Sequence, residues 1–254
     1  MKLYQLSEIE QFQRDLPYLI EITEWVKDFL GNPHPDLGRP GPVCPFVPQS
    51  LKSNNLQLAV IRPQKLETKQ IEEIVFLYRD IFLKIEPRVG QAALNKAIIL
   101  IFPDVHIDDT SRLIDSVQQK LKPFFVEQGL MLGEFHNRTE SPGLHNPNFR
   151  PLRSPIPLLA IRHMVESDLP FLQATDDLGL RIRFLLAYLQ LFDQDGKDSL
   201  NLSHARRLLA LTRDQLEQEN SLLVSPVAHT STLESSVASC PYASRLYSTA
   251  NSYL

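Results

Sequence analysis

The chain has 254 residues and a mass of 29.0 kDa; 43% of it is hydrophobic and 22% charged, with a mean hydropathy of -0.17. That composition excludes a disulfide-stapled miniprotein and wholesale disorder, and the length allows one large domain or two small ones. A net charge of -4 and a pI near 6.0 supply no broad positive field, which makes nucleic acid and anionic membrane surfaces poor partners.

In chain order, the first predicted element is an amphipathic helix over 5–30, started or bent near Pro17 and stopped by Gly31. A rigid, irregular loop follows over 32–50, where six prolines fall between Pro33 and Pro48. The run Asn55–Arg62 predicts a strand, and Glu67–Ile85 carries a helical stripe that Pro87 and Gly90 terminate. Lys96–Phe102 is continuously apolar, the mark of a strand buried on both faces. Asp108 or Asp109 is the expected cap of a helix running to about Phe125, with Gly129 after it.

Two further strands are predicted at Leu130–His136 and Ile156–His163, separated by a second proline-rich loop with five prolines between Pro142 and Pro157. Helices over 176–192 and 203–223 complete the globular part. The last thirty residues hold eleven Ser or Thr and only Glu234 and Arg245 as charges, so 224–254 reads as a flexible or extended tail. The expected architecture is a single α/β (α+β) domain over 1–223, with a sheet of four or more strands flanked by helices.

The N-terminus shows neither a basic nor an apolar leader region, the two cysteines lie far apart, and no apolar run reaches the roughly 20 residues of a membrane span. A reducing, cytoplasmic setting is the expectation. No phosphate-binding glycine loop, nucleophile elbow or zinc spacing is present, and Asp193–Asp198 reads as a polar turn because a calcium loop would put Leu191 at its first position.

The densest chemistry lies in 133–164, where His136, His145 and His163 stand among Arg138, Arg150, Arg153 and Arg162. An arginine pair beside an imidazole suits an anion, or haem propionates beside an axial ligand. On the plainer alternative the arginines hold carboxylates of their own loop, and the imidazoles bond to backbone carbonyls. Both cysteines precede proline, in Cys44-Pro45-Phe46 and Cys240-Pro241-Tyr242; Cys-Pro is a form taken by thiolate haem ligands, and a buried Cys44 packed beside Val43, Phe46 and Val47 is the alternative.

The strings HPDLGRPGPVCPFVPQSL (His34–Leu51) and GEFHNRTESPGLHNPNFRPLRSPIPLLAIRHM (Gly133–Met164) resemble an uncharacterised bacterial domain family. More distantly, the second is similar to the YqcI/YcgG family, whose characterised relatives are haem-dependent N-hydroxylases. That family's pattern puts Cys44 in a proline-rich segment, His136 at a strand end and Arg153 before the last strand; Asn137 and Leu152 depart from it, where the family has proline and a second arginine. The resemblance implies haem with His136 as the metal ligand, Arg150, Arg153 and Arg162 on the propionates, and Phe46 on the ring. Cys44 is the competing ligand. The implied activity is that of a haem-dependent oxidoreductase, a monooxygenase hydroxylating nitrogen or carbon on a small amine or amino acid. The other reading is a non-catalytic module in which the arginine-rich loop docks a protein or small anion, the tail reaches a partner, and an uncapped sheet edge favours a homodimer.

Overall fold

Four strands form the central sheet: β1 (Leu56–Val60), β2 (Ala97–Ile101), β3 (Leu130–Phe135) and β4 (Leu158–His163). In this computed structural model, which describes residues 6–193 and 199–224, their spatial order is β1-β2-β4-β3. β1 and β2 pair in parallel, while β4 runs antiparallel to both β2 and β3. β1, β2 and β3 therefore point the same way, and their carboxyl ends share one edge. β2 is apolar at every position because both of its faces are covered: Ile98 and Leu100 enter one core, Ile99 and Ile101 the other.

On the first face lie α3 (Thr68–Lys84) and α5 (Ser116–Val126), whose Ile71, Val75, Phe82, Val117, Leu121 and Phe125 meet Leu130, Leu132, Leu159 and Ile161. The opposite face is covered by α1 (Leu6–Trp25), the π-helical turn Val26–Leu30 that continues it, and the short α2 (Val47–Lys52). A third cluster forms beside β3, where Met131 and Met164 pack against α6 (Leu169–Gln173), α7 (Leu178–Phe192) and α8 (Leu200–Val224). A five-residue α4 (Gly90–Leu94) precedes β2. The chain is a single α/β domain, with the two C-terminal helices expected from the sequence.

Several local expectations change. α1 runs unbroken through Pro17; the ring removes one backbone donor, and residues 8–14 of that half are all exposed, so the freed carbonyl is left to water. The helix expected to start at Asp108 or Asp109 begins earlier: the Asp108 N–H donates to Nδ1 of His106, opening a 3-10 turn over Ile107–Asp109. An imidazole acceptor thus serves as the cap. The first proline-rich loop is more regular than expected, with a 3-10 turn at Pro35–Leu37 and α2 starting around Pro48, where a missing N–H costs nothing. The polar turn read over 193–198 lies mostly outside the described residues, as does the tail beyond Val224.

Candidate functional site

At the shared carboxyl edge β2 runs into Pro103-Asp104, β3 into His136-Asn137, and Pro155 and Pro157 lead into β4. Open α/β sheets leave their ligand crevices at such edges. Here a cleft of about 330 Å³ opens between Tyr18 of α1 and these three turns. Three prolines with Val105, Ile107 and Ile156 form its walls, and the polar groups are Tyr18, Asp104, His106 and Asn137.

Arg62, just beyond β1, organises this edge. Its Nε donates to Oδ1 of Asp15 at 3.0 Å, its Nη1 donates to Oδ1 of Asp104, and its guanidinium lies 5.4 Å from the centre of the Tyr18 ring. Burial alone would lower its pKa, but hydrogen bonds to Asp104, Asp15 and Tyr18 outweigh that and raise it, so the cation is permanent. Asp104 keeps half its side chain in solvent, and its Oδ2 has no partner among the described residues. His106 is 70% exposed; its Nδ1 is occupied by the Asp108 N–H, and its Nε2 has no partner among the described residues.

His136 sits at the same edge but beneath the surface, 3% exposed. Its Nε2 is 2.8 Å from Oδ1 of Asp115, and its Nδ1 accepts the Arg138 N–H at 3.2 Å. That pair of bonds fixes the neutral tautomer with the proton on Nε2. Both ring nitrogens are thus engaged, and ligation of an iron would break one of the two bonds. Beside it, burial pushes the carboxyl of Glu134 up in pKa, while the Lys122 ammonium opposes the shift.

The remaining predicted residues fall into two other places. Arg150 Nε and Arg153 Nη2 both donate to the single carboxylate of Glu140, at 3.2 and 2.6 Å, and hold its pKa below the usual range. Arg150 also donates to Pro147 O and Arg153 to Thr139 O, so this pair braces its own loop. At the opposite edge of the sheet, Arg162 grips Asp168 with two bonds of 2.7 and 2.6 Å and lies 5.4 Å from the centre of the Phe46 ring. Burial would lower the Arg162 pKa, yet Asp168 more than compensates. Cys44, a free half-buried thiol, belongs to this group.

The six residues assigned by resemblance therefore separate into His136 with Asp115, Arg150 and Arg153 with Glu140, and Cys44 with Phe46 and Arg162. The haem set built on His136 does not fit: the imidazole is closed off and its expected propionate partners are committed elsewhere. The Cys44 thiol is not itself tied up in a side-chain bond among the described residues, although Arg162 beside it is held by Asp168. Cys240 lies outside the described residues. Among the described residues no group of three or more His, Cys, Asp and Glu side chains is arranged to hold a metal ion.

The two proline-rich loops, far apart in sequence, lock together. His34 stacks on Phe149, Asn146 Nδ2 donates to Asp36 O at 2.8 Å, and Gly38 at φ +76° packs on the His145 carbonyl. Sequence reasoning singled out both loops but missed the cleft, whose Tyr18, Asp104 and Asn137 come from three separate segments. Its one sequence signal was the position of Asp104 and His106 just past the most apolar strand, where sheets present polar groups.

A protein family described as a domain of unknown function, DUF6875, matches residues 19–203. That span takes in the sheet, both proline-rich loops and the lining of the edge cleft other than Tyr18. Neither the curated proteins nor the solved structures contain a match to the chain.

Proposed function

The chain belongs to the DUF6875 family, and from its edge cleft we propose that it is a binding domain for a compact, amine-bearing small molecule of amino-acid size. The observation that carries this reading is the Asp104 carboxylate, held by Arg62 through Oδ1 with Oδ2 unpartnered among the described residues, in the lining of a cleft walled by proline rings. A carboxylate so placed accepts hydrogen bonds from an ammonium group, and the rings give an apolar body a dry contact. His106 Nε2 and the Asn137 amide can fix the ligand's other polar end. The compartment that goes with this reading is the cytoplasm.

The test is isothermal titration with a panel of amino acids and primary amines. At least one amine should bind wild type, and Asp104→Asn should weaken it by about tenfold or more, in line with loss of a charge-assisted hydrogen bond. No heat from any amine, or equal binding by both proteins, would sink the reading.

A second reading retains haem. The grouping of Cys44 with Phe46 and Arg162 supports it, since a thiolate there would hold the iron with an aromatic ring alongside; this is the competing ligand assignment under the YqcI/YcgG likeness, whose implied activity is oxygenase chemistry on an amine. Haem would supply oxygen activation, and the chain would supply orientation. Titration with hemin separates the two readings: a sharp Soret band lost in Cys44→Ala and kept in His136→Ala favours this one, and a broad, unsaturable shoulder in all three proteins removes it.

A further inference from the structure

The edge cleft has two polar groups of opposite kind on one short segment beyond β2. His106 Nδ1 faces the Asp108 N–H at 3.3 Å, so that nitrogen holds the lone pair and the ring proton sits on Nε2. A protonated ring, held by Asp108 Oδ2 at 3.3 Å from Nδ1, would carry a proton on Nε2 as well. His106 therefore brings a hydrogen-bond donor to the lining. Asp104 brings an acceptor: its Oδ1 is taken by Arg62, and its Oδ2 has no partner among the described residues.

Nothing in the described lining answers an anion. It contains no lysine or arginine, and three of its ten residues are prolines, which have no N–H to give. The arginines on the adjoining segments are committed. Arg62 divides its guanidinium between Asp15 and Asp104, Arg138 is on Asp108 at 2.6 Å, and Arg112 is on Asp109 at 2.9 Å. Arg14 of α1 stands 3.7 Å from Asp15 and is not in the lining. In an α-amino acid the ammonium and the carboxylate hang from one carbon. Seating that ammonium on Asp104 holds two carboxylates about 5 Å apart, a repulsion that weakens binding about tenfold or more at the dielectric of a protein surface. A hydroxyl oxygen in the same place carries no charge and accepts from His106 Nε2.

We propose that the cleft selects amines whose second polar group is an uncharged oxygen, amino alcohols above all, and rejects the corresponding amino acids. This rests on the amine-binding reading above and names the ligand class within it. Asp104 takes the ammonium, His106 Nε2 donates to the hydroxyl oxygen, and the rings of Pro103, Pro155 and Pro157 meet the apolar side chain.

Titration calorimetry of the full chain with two matched sets tests this: leucinol, isoamylamine and leucine, then phenylalaninol, phenethylamine and phenylalanine. Each set keeps one side chain and changes the second polar group from hydroxyl to none to carboxylate. In at least one set the amino alcohol should bind wild type about threefold or more tighter than the plain amine, and about tenfold or more tighter than the amino acid. His106→Asn keeps a side-chain oxygen to cap the Asp108 N–H and removes the Nε2 donor. In that variant the amino alcohol and the plain amine should bind within about twofold of each other. An amino acid that binds as tightly as its alcohol overturns this proposal and leaves the amine site standing, and so does an advantage of the alcohol that survives in His106→Asn. No heat from any of the six compounds overturns the proposal, and binding that Asp104→Asn does not weaken overturns the amine site together with it.

Discussion

The rings of His34 and Phe149 stack with centroids 4.7 Å apart and 27° between their planes, tying the first proline-rich loop to the second. Phe149 is 8% exposed and also meets Phe29 in the core beneath α1, so the stack anchors both loops to the sheet. Phe149→Ala should cost about 3 kcal/mol or more, read as a fall in denaturant midpoint. His34→Ala keeps the Phe149 packing and should cost less than half as much. Equal losses would mean the stack does not anchor the loops in this way.

Gly38 is where the loops come closest. A Cβ there would lie 2.7 Å from the His145 carbonyl oxygen, and the backbone φ of +76° already disfavours any other residue. Gly38→Ala is expected to destabilise by about 2 kcal/mol, whereas Gly90→Ala, with a φ of +74° and open space around it, pays the backbone term alone, about 1 kcal/mol. The difference between the two variants in thermal denaturation isolates the contact between loops.

Lys96 is 1% exposed with no carboxylate partner among the described residues; its Nζ donates to Phe82 O and Ile85 O, both at 2.8 Å, and lies 4.3 Å from the centre of the Phe82 ring. The ammonium thereby closes the C-terminal end of α3, where free carbonyls and the helix dipole favour a cation. Lys96→Met keeps the aliphatic stem and strips the donors. About 2 kcal/mol of stability should be lost by urea denaturation, with faster amide exchange in the last turn of α3.

Stability should also depend on pH through His163. Burial lowers its pKa from 6.5, and the neighbouring Lys96 ammonium lowers it further. The unfolded chain takes up this proton near 6.5 and the folded chain only at lower pH, so the stability this residue confers is complete above 6.5 and is lost as the pH falls through the folded value. His163→Phe should gain on wild type as pH drops from about 7 to about 5. Glu134 has the opposite sign: burial raises its pKa above 4.5, so its contribution is lost as pH rises, and Glu134→Gln should be the more stable protein at neutral pH. Denaturation curves at three pH values check both signs.

The bond between His136 and Asp115 predicts a graded response. Asp115→Asn still offers an oxygen to the Nε2 proton and should stay within about 1 kcal/mol of wild type, while Asp115→Ala leaves a buried donor unpaired and should cost about 2 kcal/mol. Nitrogen chemical shifts of the imidazole should report the proton on Nε2 in wild type and in Asp115→Asn.

Much of the fold was legible from periodicity. The runs at Asn55–Arg62, Lys96–Phe102, Leu130–His136 and Ile156–His163 each became a strand, trimmed by one or two residues where Pro63, Pro103 and Pro157 remove donors. The helical stripes of α3 and α7 were equally plain, because burying one face leaves a 3.6-residue rhythm in the chain. The cap at His106 was not, since an imidazole accepts a backbone N–H only when its tautomer and rotamer permit.

The sequence by itself determined the α/β class, the four strands and the two proline-rich loops, because these follow from local pattern and backbone chemistry. Tertiary structure alone decided which polar groups meet. The arginines and histidines of 133–164 are neighbours in sequence, yet alternation along β4 and the turn between β3 and β4 send Arg162 to one end of the sheet, His136 beneath the other, and Arg150 with Arg153 onto Glu140. Tyr18, Arg62 and Asp104 are strangers in sequence, and they converge because the parallel strands β1 and β2 end at one edge beside α1.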